Sequence, residues 1–202
     1  MAYSSKLLEQ AVEQFNSLPG IGKKSALRMA LFMLKQPMEN VEKFASSILS
    51  LSKNICHCPQ CNMIADSPLC PLCSDSRRNH SLICVVESAR DVLSIENTGK
   101  YNGLYHVLEG IISPMDGVGP SDLPIKELED RIAQGGVDEV ILALSTSMEG
   151  ETTSLFIYNR IKKYNIQVTT IARGIAFGDD LEYTDELSLA KSIENRQPFK
   201  NL

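Results

Sequence analysis

The sequence predicts an α/β protein: a helical segment, then a small cysteine ribbon, then a parallel sheet flanked by helices. Three observations carry this. From about residue 81 to 172, apolar runs of strand length alternate with amphipathic helical runs, the pattern of a parallel sheet covered on both faces. Three short amphipathic helices fit within residues 1–54. Between these regions lies CPQCNMIADSPLCPLC, in which Cys58 and Cys61 form one C-x-x-C pair and Cys70 and Cys73 a second.

Composition sets the outer limits. At 202 residues the chain can hold one ordinary domain plus one or two small ones, and 43% hydrophobic with 22% charged residues suits a soluble globular protein. No apolar run approaches the length of a membrane span. Six cysteines without an N-terminal apolar leader do not suggest a secreted disulfide scaffold, so the expected compartment is the cytosol. A net charge of −5 argues against a surface that coats nucleic acid all over. A local basic face remains open, because residues 1–35 carry Lys6, Lys23, Lys24, Arg28 and Lys35 against Glu9 and Glu13.

The first helix is expected over Ser4–Ser17, with Leu8, Ala11, Val12 and Phe15 on one face. That face suits either its own domain or another copy of the chain. Leu18-Pro19-Gly20 stops it. The second helix is expected over Lys23–Lys35 with Leu27, Ala30, Leu31 and Leu34 apolar, ending before Pro37. The third, Val41–Lys53, repeats the pattern through Val41, Phe44, Ala45, Ile48 and Leu49. Three short helices bury little alone, so they are expected to lean on one another or on a partner.

Between the first two helices, Gly20 and Gly22 flank Ile21 and let the backbone turn sharply where a phosphate could come close. The next helix then starts with free N–H groups and the positive end of its dipole. Lys23, Lys24 and Arg28 add charge, and Leu18 and Ile21 are expected to pack inward. A helix-hairpin-helix grips a nucleic-acid backbone in this way, without reading sequence. An ordinary helix–helix turn with lysines at its solvent edge is the other reading of these residues.

Each C-x-x-C knuckle can aim two thiolates at one ion, so Cys58, Cys61, Cys70 and Cys73 predict a closed tetrahedral zinc site, one Zn²⁺ per chain. Four protein ligands leave no place for water, which makes the role structural. A thioredoxin-like redox pair would instead need a single C-x-x-C opening a helix within a βαβ unit. Cys84, in the run SLICVVE, reads as a small buried residue.

In the α/β region, strands are expected at Ser81–Val86, Tyr105–Leu108, Glu139–Leu144 and Ile166–Ala172. The helices between them are Ala89–Glu96, Pro124–Gln134 and Glu149–Tyr164. Crevices in such sheets form at the C-terminal strand ends, where Glu87 and Ser145–Glu151 fall. Arg173–Leu202 is irregular and acidic, with a short helix over Leu187–Asn195.

LPGIGKKSALRMA, the four spaced cysteines, ICVVE, GLYHVLEG, ISPMDGVGP, the EGE of Glu149–Glu151, IARG and LEYTDE occur in one order along essentially the whole chain. In that order they resemble the RecR family of bacterial recombination mediators. The resemblance implies a helix-hairpin-helix domain over 1–54, a four-cysteine zinc ribbon over 55–78, and a Toprim domain, a Rossmann-like parallel sheet, over 79–172. It also implies a C-terminal extension over 173–202 used in pairing subunits. The family's role would make this a non-enzymatic DNA-binding clamp and adaptor of recombinational repair. It would assemble as a dimer or tetrameric ring and act with RecO, and in many bacteria RecF. Its task would be to load RecA onto single strands coated by single-stranded-DNA-binding protein. Gly20, Gly22, Lys23, Lys24 and Arg28 would contact DNA, and Glu87, Asp91, Glu149 and Glu151 would line an acidic mouth that engages RecO. The chain departs from the usual family pattern at Thr170 (usually Arg), Ala176 (usually Pro) and Ser145 (usually Asn), and Thr170 puts any contact of that arginine in doubt.

Two other functions compete. A Toprim nuclease or primase would hold Mg²⁺ on a Glu after the first strand and an Asp-x-Asp after a later one. Glu87 fits the first position. Aligned through E-G-E with the D-P-D-R-E-G-E of type IA topoisomerases, both aspartates are Ser145 and Ser147, which leaves at most weak cation binding at Glu149 and Glu151. Thr146 and Glu149 also match a helix capping box. The last alternative is a pure protein-interaction module, with the hairpin serving only as a dimer interface.

Overall fold

A computed structural model describes residues 5–172, 174–175, 178–196 and 198. Ser4, Arg173, Ala176 and the end of the expected C-terminal extension lie outside the described residues. The chain forms two compact units, Met1–Ile55 and Cys56–Leu202.

The first unit contains α1 (Lys6–Asn16), α2 (Lys23–Leu34) and α3 (Met38–Asn54). Ser5 caps α1, its hydroxyl oxygen accepting from Leu8 N–H. α1 and α2 close over Val12, Ala26 and Ala30, with Leu8, Ala11, Phe15, Ile21 and Leu27 at the margin. The inward face of α2 therefore differs from the expected one. The small alanines let the helices approach closely, and the bulkier Leu31 and Leu34 are left on the open side. α3 begins right after Pro37 rather than at Val41 and buries none of its residues. Phe44, Ile48 and Leu49, expected on a packed stripe, are exposed, although the Phe44 ring lies 6.5 Å from that of Phe15.

The second unit opens with a ribbon made of antiparallel strands β1 (Cys56–His57) and β2 (Ile64–Ala65) and the single turn α4 (Pro71–Ser74). The sheet follows: β3 (Asn79–Val86), β4 (Gly103–Val107), β5 (Glu139–Ala143) and β6 (Gln167–Thr170). Its order is β4-β3-β5-β6 and every pairing is parallel. The helices are α5 (Ala89–Asn97), α6 (Ile125–Ala133), α7 (Met148–Ile161) and α8 (Glu186–Glu194).

Alternation along β3 builds two cores. Ile83 and Val85 join Val140 and Leu142 of β5 under Leu128 and Ile132 of α6 and Ile157 and Ile161 of α7. Cys84 and Val86 face the other way, against Val92 of α5 and Tyr105 and Val107 of β4. Cys84 is buried, as expected. The strand order reverses between β3 and β5, and Val86 lies opposite Ala143. Glu87 and Ser145 thus leave the sheet at one crevice, the usual ligand position of such folds.

The ribbon covers the edge strand β4. Val107 N–H donates to Cys61 O at 2.8 Å, and Asn62 Nδ2 donates to Val107 O at 2.9 Å. The N–H and C=O that Val107 would otherwise leave open on this edge are thereby satisfied. Among the described residues no helix is long and apolar enough to cross a membrane.

Candidate nucleic-acid interface and metal centre

The hairpin turn is set by Pro19 and Gly20. Ile21 N–H donates to Leu18 O at 3.1 Å, and Gly20 has φ 77°, as the third position of a type II turn requires. Gly22 is the extended residue before α2 and offers no side chain to cap it, and the first turn of α2 holds no acid. A Cβ on Gly20 or Gly22 would meet nothing within 4 Å, so the space in front of the helix is open. Lys23, Lys24 and Arg28 are exposed, and among the described residues none of them forms an ion pair. Uncapped N–H groups, a helix dipole and three cations together suit a phosphate. Ile21 packs inward as expected, whereas Leu18 is about half exposed. Leu18 instead lines a mostly apolar groove with Phe15, Arg28, Met29, Phe32, Met33 and Phe44.

Cys58, Cys61, Cys70 and Cys73 are buried, and their sulfurs all lie within 4.8 Å of one another. Cys61 Sγ and Cys70 Sγ are 3.5 Å apart, close to the ~3.8 Å edge of a tetrahedron with zinc–sulfur bonds of about 2.3 Å. The turn after β1 brings in the first pair: Cys58 N–H donates to Met63 O and Asn62 N–H to Cys58 O, both at 2.8 Å. Cys70 precedes α4, and Cys73 N–H donates to Cys70 Sγ at 3.4 Å. Two of the thiols, Cys61 and Cys70, are hard to ionise unaided. The neighbouring Cys73 sulfur and burial push Cys61 far up, and burial carries Cys70 up to about 11. Burial opposes ionisation of Cys58 too, yet the backbone N–H groups of Cys70, Gln60 and Cys61 pull it down to about 7. A bound cation stabilises all four thiolates together, so the residues fit one structural zinc.

Sequence reasoning missed Arg131, on α6. Its Nη1 donates to Gln60 O at 3.3 Å and to Tyr105 O at 2.9 Å, and its Nη2 is buried without a protein partner. Burial pushes the guanidinium down, and the cysteine sulfurs of Cys73, Cys61 and Cys58 lead the charges that hold it up. An arginine beside the apolar positions Leu128 and Ile132 is the only trace of this role in the sequence.

At the crevice, Glu87 follows β3 and is half-buried. Asp91 closes a capping box on α5, its Oδ2 accepting from Ser88 N–H at 2.8 Å and Ser88 Oγ at 2.9 Å. Glu149 and Glu151 stand in the first turn of α7. The expected Thr146 cap is replaced by Ser147, whose hydroxyl oxygen accepts from Gly150 N–H at 3.1 Å, because the helix starts at Met148. Ser145 and Ser147 share a 3.0 Å hydroxyl contact. Glu109, which sequence reasoning also missed, follows β4 at φ 55°, and the next residue, Gly110, donates its N–H to Glu87 O at 3.0 Å. The terminal Glu of GLYHVLEG was its signal. Among the described residues, the four cysteines are the only group of three or more His, Cys, Asp or Glu placed to share an ion.

Family comparison places these parts among known proteins. Residues 8–51 match the family described as RecR, helix-hairpin-helix, and residues 55–75 match the RecR four-cysteine zinc finger domain. Residues 81–172 match the Toprim domain and residues 174–197 match RecR, C-terminal. The chain is 52% identical to the recombination protein RecR of Porphyromonas gingivalis, over 98% of this chain and 96% of the relative. Identity to the Flavobacterium psychrophilum RecR is 52%, over 100% and 98%. For the Bacteroides fragilis RecR it is 51%, over 98% and 96%.

Proposed function

This chain belongs to the RecR family of recombination proteins, and from that premise we propose that it is a non-enzymatic DNA clamp and adaptor. Acting in the cytosol with RecO, and with RecF where it is present, it loads RecA onto single-stranded DNA. Gly20, Gly22, Lys23, Lys24 and Arg28 hold the DNA backbone, and Glu87, Asp91, Glu149 and Glu151 engage RecO. The working parts are residues 1–54 for DNA, 55–78 for zinc, 79–172 for the partner and 173–202 for subunit pairing.

The observation that carries this reading is the uncapped start of α2 behind the Gly20 turn, open in front and flanked by cations without ion-pair partners among the described residues. Contacts of this kind give affinity that ignores base sequence and falls with salt. The non-enzymatic part rests on Ser145 and Ser147. They stand where a metal-dependent Toprim site needs carboxylates, and they spend their hydroxyls on each other and on capping α7.

The deciding experiment is DNA binding against salt on the assembled protein, with its mass measured in the same buffer. Lys23→Ala with Lys24→Ala is expected to weaken binding and to reduce the slope of log affinity against log salt by roughly 1.8 on duplex. The melting temperature should hold. Equal affinity and slope for both proteins would sink the hairpin as the DNA contact, and Mg²⁺-dependent nicking abolished by Glu87→Gln would overturn the non-enzymatic reading.

A further inference from the structure

We infer that Arg131 is the counter-charge of the zinc–thiolate centre, and that metal occupancy thereby governs how firmly the ribbon holds the edge of the sheet. The inference rests on the zinc reading of the four cysteines. A guanidinium carried into the interior needs an opposite charge or a full set of acceptors. Among the described residues Arg131 has neither. Its Nη1 meets two neutral carbonyls, and its Nη2 is buried without a partner. Glu127 and Asp130 line the same cleft, yet among the described residues no carboxylate forms an ion pair with Arg131.

The charge available to it is that of the cysteines. Four thiolates around one zinc ion leave a net charge of minus two. Gln60, which accepts from Arg131, stands inside the first knuckle between Cys58 and Cys61, and Tyr105, the second acceptor, is on β4. One guanidinium nitrogen thus ties the knuckle to the strand. The Val107–Cys61 and Asn62–Val107 hydrogen bonds lie beside it on the same seam. When the metal leaves and the thiolates take up protons in its place, the centre becomes neutral thiols, and the uncompensated cation left in the seam favours its opening. Zinc therefore acts beyond the ribbon: it secures the capped edge of the sheet.

Two measurements on the full-length protein test this. Zinc content is determined first, and release to an excess of a chromophoric chelator is then followed for wild type, Arg131→Met and Arg131→Lys. Arg131→Met is expected to release zinc about 10- to 100-fold faster, with Arg131→Lys staying near wild type because it keeps the charge. Release from Arg131→Met at the wild-type rate overturns the inference, as does equally fast release from both variants. The second measurement needs no variant. Amide exchange in wild type should rise at Val107 when zinc is stripped, while Val140 and Leu142 in the middle of the sheet stay protected. Unchanged protection at Val107 overturns the coupling and leaves the metal assignment standing. A wild-type chain that purifies without zinc overturns both.

Discussion

Gly150 shows how one missing side chain can hold a site together. A Cβ there would lie 2.2 Å from Ser145 O, so the carbonyl ending the β5 turn packs directly on the first turn of α7. The glycine of Glu149-Gly150-Glu151 is needed for this approach, whatever the glutamates bind. Gly150→Ala should destabilise the protein by about 1–3 kcal/mol through overpacking and lower the melting temperature; an unchanged melt would show that the turn has room to yield. His106 gives a second test at this scale. Its Nε2 meets Pro124 O at 2.7 Å, its Nδ1 is buried without a protein partner, and burial pushes the imidazole down to about 4. The unfolded chain, with a histidine near pH 6.5, then takes up the proton first as pH falls. The stability that His106 contributes by staying neutral is whole above about pH 6.5 and is lost as pH falls from there toward 4. Between pH 7 and pH 5, wild type should lose roughly 2 kcal/mol more than His106→Gln. Urea midpoints at matched zinc content check this, and parallel pH profiles for the two proteins would rule it out.

Elements were legible where burial leaves a strong pattern. β3 and β5 are buried runs of aliphatic residues, and their boundaries moved by only one or two residues from those expected. Two-residue strands and a one-turn helix carry no period, so the ribbon was readable only through its cysteines. The inward face of α2 was misread because its buried residues are alanines, which pack by letting α1 come close rather than by bulk. Of the candidate functional residues, the hairpin and the cysteines were legible because their spacing is local. Arg131 and Glu109 were not, since each gains its meaning from neighbours far along the chain. The ribbon supplies the prediction at this scale. Cys58 and Cys73 come from opposite knuckles and meet only in the folded ribbon. Cys58→Ser or Cys73→Ser should each lower bound zinc per chain and reduce soluble yield, because ligand binding at such a centre is folding free energy. Full metal content in either variant, measured by elemental analysis, would refute the four-ligand assignment.

At the scale of the whole molecule the charges set a quantitative demand. The chain carries a net charge of −5, and its hairpin offers three cations, Lys23, Lys24 and Arg28, without ion-pair partners among the described residues. Each neutralised phosphate contributes about −0.9 to the slope of log affinity against log salt on duplex DNA. One hairpin therefore accounts for a slope no steeper than roughly −2.7. A clamp made of several chains engages several hairpins at once, and each further one binds at the high effective concentration set by the assembly. The expected slope is then well beyond about −3, and binding should weaken sharply once the protein is diluted below the concentration at which it assembles. Titrations across salt and protein concentration, read alongside mass in solution, separate the cases. A shallow slope that persists in a monomer would place the DNA contact on a single hairpin, and the clamp reading would fall.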